Sequence, residues 1–79
     1  LNPTIWYSDM RLEYVDMYRI SAYDQFIMFV CENGTIVEFD KLTHTLHSTG
    51  EAIPLDELPS KEDKLWCRVA CYLDESIVL

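Results

Sequence analysis

The chain reads as a small α+β domain. The expected architecture is three antiparallel strands around a central hairpin with one or two packed helices, an all-β fold being the alternative. Three observations predict it. Two β-prone runs flank Asn33-Gly34 in FIMFVCENGTIVEFD, Phe26 to Asp40. Ser60 to Glu75 repeats apolar residues at helical spacing. The chain has 79 residues, 49% hydrophobic and 13% aromatic, which is enough for one dense core and too short for a second domain. It begins at Leu1 and reads as residues 1–79 of a single domain that could be excised from a longer protein.

Leu1 to Tyr7, with Pro3 and then Ile5-Trp6-Tyr7, suits an extended entry. Ser8 or Asp9 is a favoured N-cap. The following stretch to Ile20 then predicts a helix with Met10, Tyr14, Met17 and Tyr18 near one face. The rival is a strand, since Met10, Leu12, Tyr14, Tyr18 and Ile20 keep a period of two that Asp16 interrupts. Ser21 to Gln25 reads as a turn.

Asn-Gly is the strongest short-range hairpin signal, because a type I′ turn needs φ > 0 at both central residues. A two-residue loop sets Val30 opposite Val37 and Met28 opposite Phe39. One face then carries Phe26, Met28, Val30, Val37 and Phe39, and the other Ile27, Phe29, Cys31 and Ile36. The first hairpin strand is apolar on both faces and calls for cover on both.

Lys41 to Ser48 alternates Leu42, His44 and Leu46 against Thr43, Thr45 and His47, as a third strand does. Ser48-Thr49-Gly50 closes it, and Glu51 to Pro59, with Pro54 and Pro59, is loop. Ser60-x-x-Asp63 approximates a capping box. Leu65, Trp66, Val69, Ala70 and Leu73 then predict a helix, with a strand from Leu65 to Leu73 as its rival.

Charge narrows the partners. Fourteen acidic residues against six basic ones give a net charge of −8. Phosphate backbones and anionic membranes repel such a chain, so direct nucleic-acid binding and membrane attachment are not expected. No apolar run of transmembrane length is present. The odd cysteine count, Cys31, Cys67 and Cys71, suits reduced thiols in an intracellular protein, cytoplasmic or nuclear.

The chemistry-bearing constellations are sparse. His44-x-x-His47 and Cys67-x-x-x-Cys71 have the ligand types of a structural zinc site. However, strand residues three apart point to opposite faces. Cys-His pairs lack a Gly-rich turn for an oxyanion hole, and two glycines exclude the common phosphate-cradling loops. Asn33-Gly34-Thr35 matches the glycosylation sequon, but the turn accounts for it. No catalytic, cofactor-binding or metal-binding residue is assigned.

The expected function is a non-enzymatic, acidic protein-interaction module or small subunit with a basic protein partner, self-association being an alternative. A second reading is an acidic inhibitor of phage or mobile-element type that imitates nucleic acid, and a third is a metal-stabilised domain. Trp6 and Tyr7 are candidate partner-binding aromatics, and Tyr14, Tyr18 and Trp66 could join them, although Trp66, on the apolar face of the expected helix, reads as core. Ile27, Phe29 and Ile36 are the candidate open apolar face. Glu38, Asp40, Glu51, Asp56 and Glu57 are the candidate acidic rim.

The stretch FIMFVCENGTIVEFDKLTHTL, Phe26 to Leu46, resembles the middle strands of a β-propeller blade. It has a strand, an Asn-Gly turn, a strand ending in Phe-Asp and then a Lys-x-Thr turn. The blade's Trp-Asp and Gly-His signatures are absent. The resemblance implies a piece of a larger scaffold, since one blade does not fold alone.

Overall fold

A computed structural model describes residues 7–79. Five strands form a closed ring in the order β1-β2-β3-β4-β5. They are β1 (Arg11–Tyr23), β2 (Phe26–Cys31), β3 (Thr35–Asp40), β4 (Thr45–Ala52) and β5 (Cys67–Leu73). Among the described residues the only helical element is one 3₁₀ turn, Leu55–Glu57. The expected α+β architecture, with three strands and packed helices, is therefore corrected to a five-stranded, almost helix-free ring.

Both predicted helices are strands, for a shared reason. Their apolar spacing fitted a helix in isolation, but each segment finds a ladder in the other. Residues Arg11 to Met17 pair antiparallel with Leu73 back to Cys67. Val15 and Met17 thereby face inward with Val69, Cys71 and Leu73, while Leu12 and Tyr14 face out. The alternation in β1 is real, and the larger, more aromatic set is the outer one. Ser60 starts a turn rather than a helix: its carbonyl accepts the Asp63 N–H at 2.8 Å.

The Asn-Gly hairpin forms, with a different turn. The Gly34 N–H donates to Cys31 O at 2.9 Å, and only Gly34, at φ 88°, takes the left-handed conformation there. This is the three-residue loop ending in a glycine bulge, not the two-residue type I′ turn. The extra residue shifts the register by one, so Phe29 pairs with Val37 and Ile27 with Phe39. A one-residue slip exchanges faces. The inner set becomes Ile27, Phe29, Cys31, Val37 and Phe39, and the outer set includes Met28, Val30, Ile36 and Glu38.

The third predicted strand is displaced. Residues 40–44 form a turn, in which the His44 N–H reaches Asp40 O at 2.7 Å, and the strand runs from Thr45 to Ala52 instead. Asp40 explains the turn. Its Oδ1 accepts from the Leu42 and Thr43 N–H groups at 2.8 and 3.3 Å, and its Oδ2 accepts from Gln25 Nε2 at 3.0 Å.

Closing the ring joins β4 and β5 in parallel through Thr45–Tyr72 and Leu46–Leu73. A parallel pair needs a long crossover, and residues 53–66 supply it. This strap passes outside the ring. The Ile53 N–H donates to Gly34 O at 2.9 Å, Lys61 Nζ lies 2.9 Å from Glu32 and 3.5 Å from Asp16, and the Trp66 ring meets Tyr18 edge-on. Val30 lies between these attachments, opposite Tyr18, and is fully buried although it belongs to the outer face. The C-terminal tail closes one mouth. Ile77 is buried in the core, and Arg11 holds the Asp74 and Ile77 carbonyls at 3.0 and 2.8 Å.

The ring is strongly staggered, as closure of few strands demands. Going round from Leu46 through Phe39 and Ile27 arrives at Ala22, whereas going the other way through Leu73 arrives at Arg11. Within β1, Met17 alone has partners on both sides, Cys31 and Cys67.

Candidate protein interface

The outer faces of β1 and β5 carry a stripe of aromatic side chains. Alternation puts Leu12, Tyr14, Asp16 and Tyr18 outside on β1, and Arg68, Ala70 and Tyr72 beside them on β5. At one end Tyr72 stacks on Tyr7, with ring centroids 4.1 Å apart, and the Tyr7 hydroxyl donates to Thr43 O at 2.5 Å. In the middle the Arg68 guanidinium lies over Tyr14, 5.5 Å from its centroid. At the far end Tyr18 meets Trp66, over which Lys61 Nζ sits at 4.4 Å.

The centre of the stripe is the open part. Tyr14 is 66% exposed and Leu12 58%, and Leu42, next to Tyr7's partner Thr43, is 77% exposed. Leu12 to Tyr18 spans about 20 Å of strand. The stripe is therefore a few hundred Å² at most, on the order of a hot-spot cluster and smaller than the ~800 Å² per partner of a standard interface. Surrounding polar surface must supply the rest of any contact.

The residues predicted from sequence separate into groups. Tyr7, Tyr14, Tyr18 and Trp66 come together on this stripe, while Trp6 lies outside the described residues. Ile27 and Phe29 face the ring interior, Phe29 at 6% exposure, whereas Ile36 is on the outer face. The single apolar patch expected of these three is split by the register shift.

The acidic set is divided too. Glu51, Asp56 and Glu57 are exposed at the end of β4 and in the 3₁₀ turn. Asp40 lies at the opposite end of β3 from Thr35, which pairs with Ala52 next to Glu51. That separation is about 17 Å. Asp40 is also committed internally. Burial alone would raise its carboxyl, but donors from Leu42, Gln25 and Thr43 outweigh this and hold it below its ordinary value. Glu38 accepts the Tyr23 hydroxyl at 2.6 Å, which raises the Tyr23 pKa.

Tyr72, Leu12 and Arg68 were missed. The strand rival for each segment carried the signal, because its period of two sorts Leu12 and Tyr14, and Arg68, Ala70 and Tyr72, onto one side.

The thiols offer little nucleophilic chemistry. Burial pushes Cys31 up to about 12 and Cys71 up to about 11, so both are protonated at neutral pH. Cys67 is exposed and its Sγ donates to Met17 O at 3.2 Å. Among the described residues no cluster of three or more His, Cys, Asp or Glu side chains is arranged to hold a metal ion. No helix among them is long and apolar enough to cross a membrane.

No family model, curated protein or solved structure matches this chain. The β-propeller resemblance gains nothing from these comparisons, and β1 and β5 close its meander into a ring.

Proposed function

We propose that this domain is a non-enzymatic docking module for a basic protein partner. The observation that carries the reading is the outward stripe of Tyr7, Leu12, Tyr14, Arg68 and Tyr72 on β1 and β5. Tyr, Trp and Arg supply most binding energy at protein interfaces, and they do so where apolar area is exposed before binding. Burial of Tyr14 and Leu12 provides affinity. The net charge of −8 accelerates encounter with a basic surface and opposes close approach of a second copy. Three free cysteines support an intracellular setting.

The test begins with capture from the native source and titration of the purified partner against wild type and the double variant Leu12→Ser/Tyr14→Ala. Both side chains are exposed, so circular dichroism of the variant should match wild type. Affinity should fall at least ~30-fold, the scale of a hot spot. Raising salt should slow association and leave dissociation nearly unchanged. A partner that binds the double variant as tightly as wild type removes the stripe from the reading. Affinity that collapses with salt, with competition by DNA, points instead to nucleic-acid mimicry. Concentration-dependent sizing of the isolated domain points to self-association.

A further inference from the structure

The stagger of the ring leaves one stretch of β1 unpaired at its edge. Residues Arg11 to Asp16 pair with β5 on one side, and the strand register gives them no partner on the β2 side. β2 ends at Cys31, and the chain turns away at Glu32 and Asn33. What remains beside that edge is a cavity of about 450 Å³, bordered by Leu79 of the C-terminal tail and by Asn33, whose Nδ2 donates to Val78 O at 3.1 Å. Its lining includes Glu13 and Val15 from the inner face of β1 together with Tyr14 and Asp16 from the outer face. Residues of both faces line one cavity only where the strand edge is open. Cys31 lies beside Val15 on the apolar inner side, and Glu32 stands across the mouth from Asp16.

We infer that this slit accepts an extended basic segment of a protein partner as an added strand beside β1. An unpaired edge presents a row of N–H and C=O groups that template such pairing. The faces of the slit specify the side chains. Inward positions of the added strand abut Val15 and Cys31, already buried at 6% and 1% exposure, and call for compact apolar residues such as Val. Outward positions meet Tyr14, Asp16 and Glu32 and call for Lys or Arg. Glu13 is paired with Arg11 at 2.8 Å, but Lys61 alone serves both Asp16 and Glu32. Counting Arg68, the charges at the mouth balance, so the preference for a basic segment rests on the net charge of −8 and on exposed pairs that hold only weakly. Arg68, also at the mouth, is drawn over the Tyr14 ring. The inference rests on the reading of the domain as a protein-binding module and adds a second, backbone-directed site to the aromatic stripe.

The probe is the capped peptide acetyl-Lys-Val-Lys-Val-Lys-amide, used with the intact domain labelled for NMR. Binding should shift the amide resonances of residues 12–16 and slow their hydrogen exchange. Two N-methylated forms decide the mode, one methylated at both Val residues and one at the central Lys. Successive N–H groups of a strand point to opposite sides, so one form should lose at least ~10-fold and the other should retain binding. Glu32→Lys, on an exposed turn, should weaken the unmodified probe by roughly threefold or more. Absence of protection at residues 12–16, or any other methylation pattern, overturns the inference. Tyr72→Ala removes part of the stripe on β5 and should leave probe binding within about twofold, since Tyr72 is outside the slit. Tyr14 belongs to both sites, so the stripe is read separately from the slit by Leu12→Ser alone, Leu12 lying outside the slit lining.

Discussion

Between Arg11 and Met17, β1 takes its ladder from β5; between Met17 and Tyr23 it takes its ladder from β2. The first half sends Val15 and Met17 into the core. The second half, from Arg19 to Tyr23, is exposed at every position, with Ile20 and Tyr23 each 49% exposed. Both halves are extended and both contain large apolar residues. What differs is whether the opposite wall of the ring lies behind them. In a five-stranded ring with this stagger the walls overlap only over a short height. Inside that height Val37, Leu46, Cys71 and Leu73 are buried with Met17, and beyond it β1 continues as a hairpin arm.

The largest test of this contrast is Met17→Ala. Met17 is fully buried and is the one residue of β1 paired on both sides. Its truncation should cost about 2–5 kcal/mol, much of the ~4–12 kcal/mol expected for a chain of this length. Urea unfolding measures it, and a loss under ~1 kcal/mol would contradict Met17 as the junction of the two halves.

Gly34→Ala comes next, because it probes the strap that covers the overlapping region. Gly34 has φ 88°, and an added Cβ would stand 2.5 Å from the Ile53 carbonyl oxygen. Left-handed strain plus a backbone collision should cost about 2–4 kcal/mol. Gly50→Ala is the control: at φ 82° it has the same strain with nothing within 4 Å, and should cost only about 1 kcal/mol. Similar midpoints for the two variants would show that the strap does not press on the hairpin.

Asp40→Ala should cost about 1–2 kcal/mol by releasing three donors. Acid should reproduce part of that loss in wild type. The folded Asp40 carboxyl lies below its ordinary value of 3.8. Its contribution is therefore complete above the unfolded pKa and disappears as pH falls through the lower folded value. The variant's Tm should show a shallower acid dependence than wild type.

The smallest effect is expected in the free half. Ile20→Ser should change stability by no more than ~0.5 kcal/mol, as for other exposed sites. A loss above ~1 kcal/mol in thermal unfolding would mean that the arm is covered by something its 49% exposure does not suggest.

Local signals in the sequence served well where a single turn decides the outcome. Asn33-Gly34 marked the hairpin, whereas Ser48-Thr49-Gly50, expected to close the third strand, lies inside β4. They served poorly where two periodicities competed. Tyr14 and Tyr18 suited a helix face as well as a strand face, and Leu65, Trp66, Val69 and Leu73 did the same for Ser60 to Glu75. The aromatic stripe was legible as a set of rings near the ends of the chain, but not as a surface. Tyr7 and Tyr72 become neighbours only because β5 returns beside β1 and residues 40–44 fold beneath Tyr7.

Composition and local chemistry by themselves determined the acidic character of the chain and its central hairpin. These depend on counts and on residues a few positions apart. Tertiary structure alone decided the rest: which turn closes the hairpin, which face of each strand is buried, and which part of β1 has an open edge. In the hairpin the choice was a single residue of register, with Gly34 as the bulge and its carbonyl bonded to Ile53 of the strap. That slip turned Ile27 and Phe29 from a candidate surface into core, because side chains alternate with every residue and only the closed ring determines which side is inside.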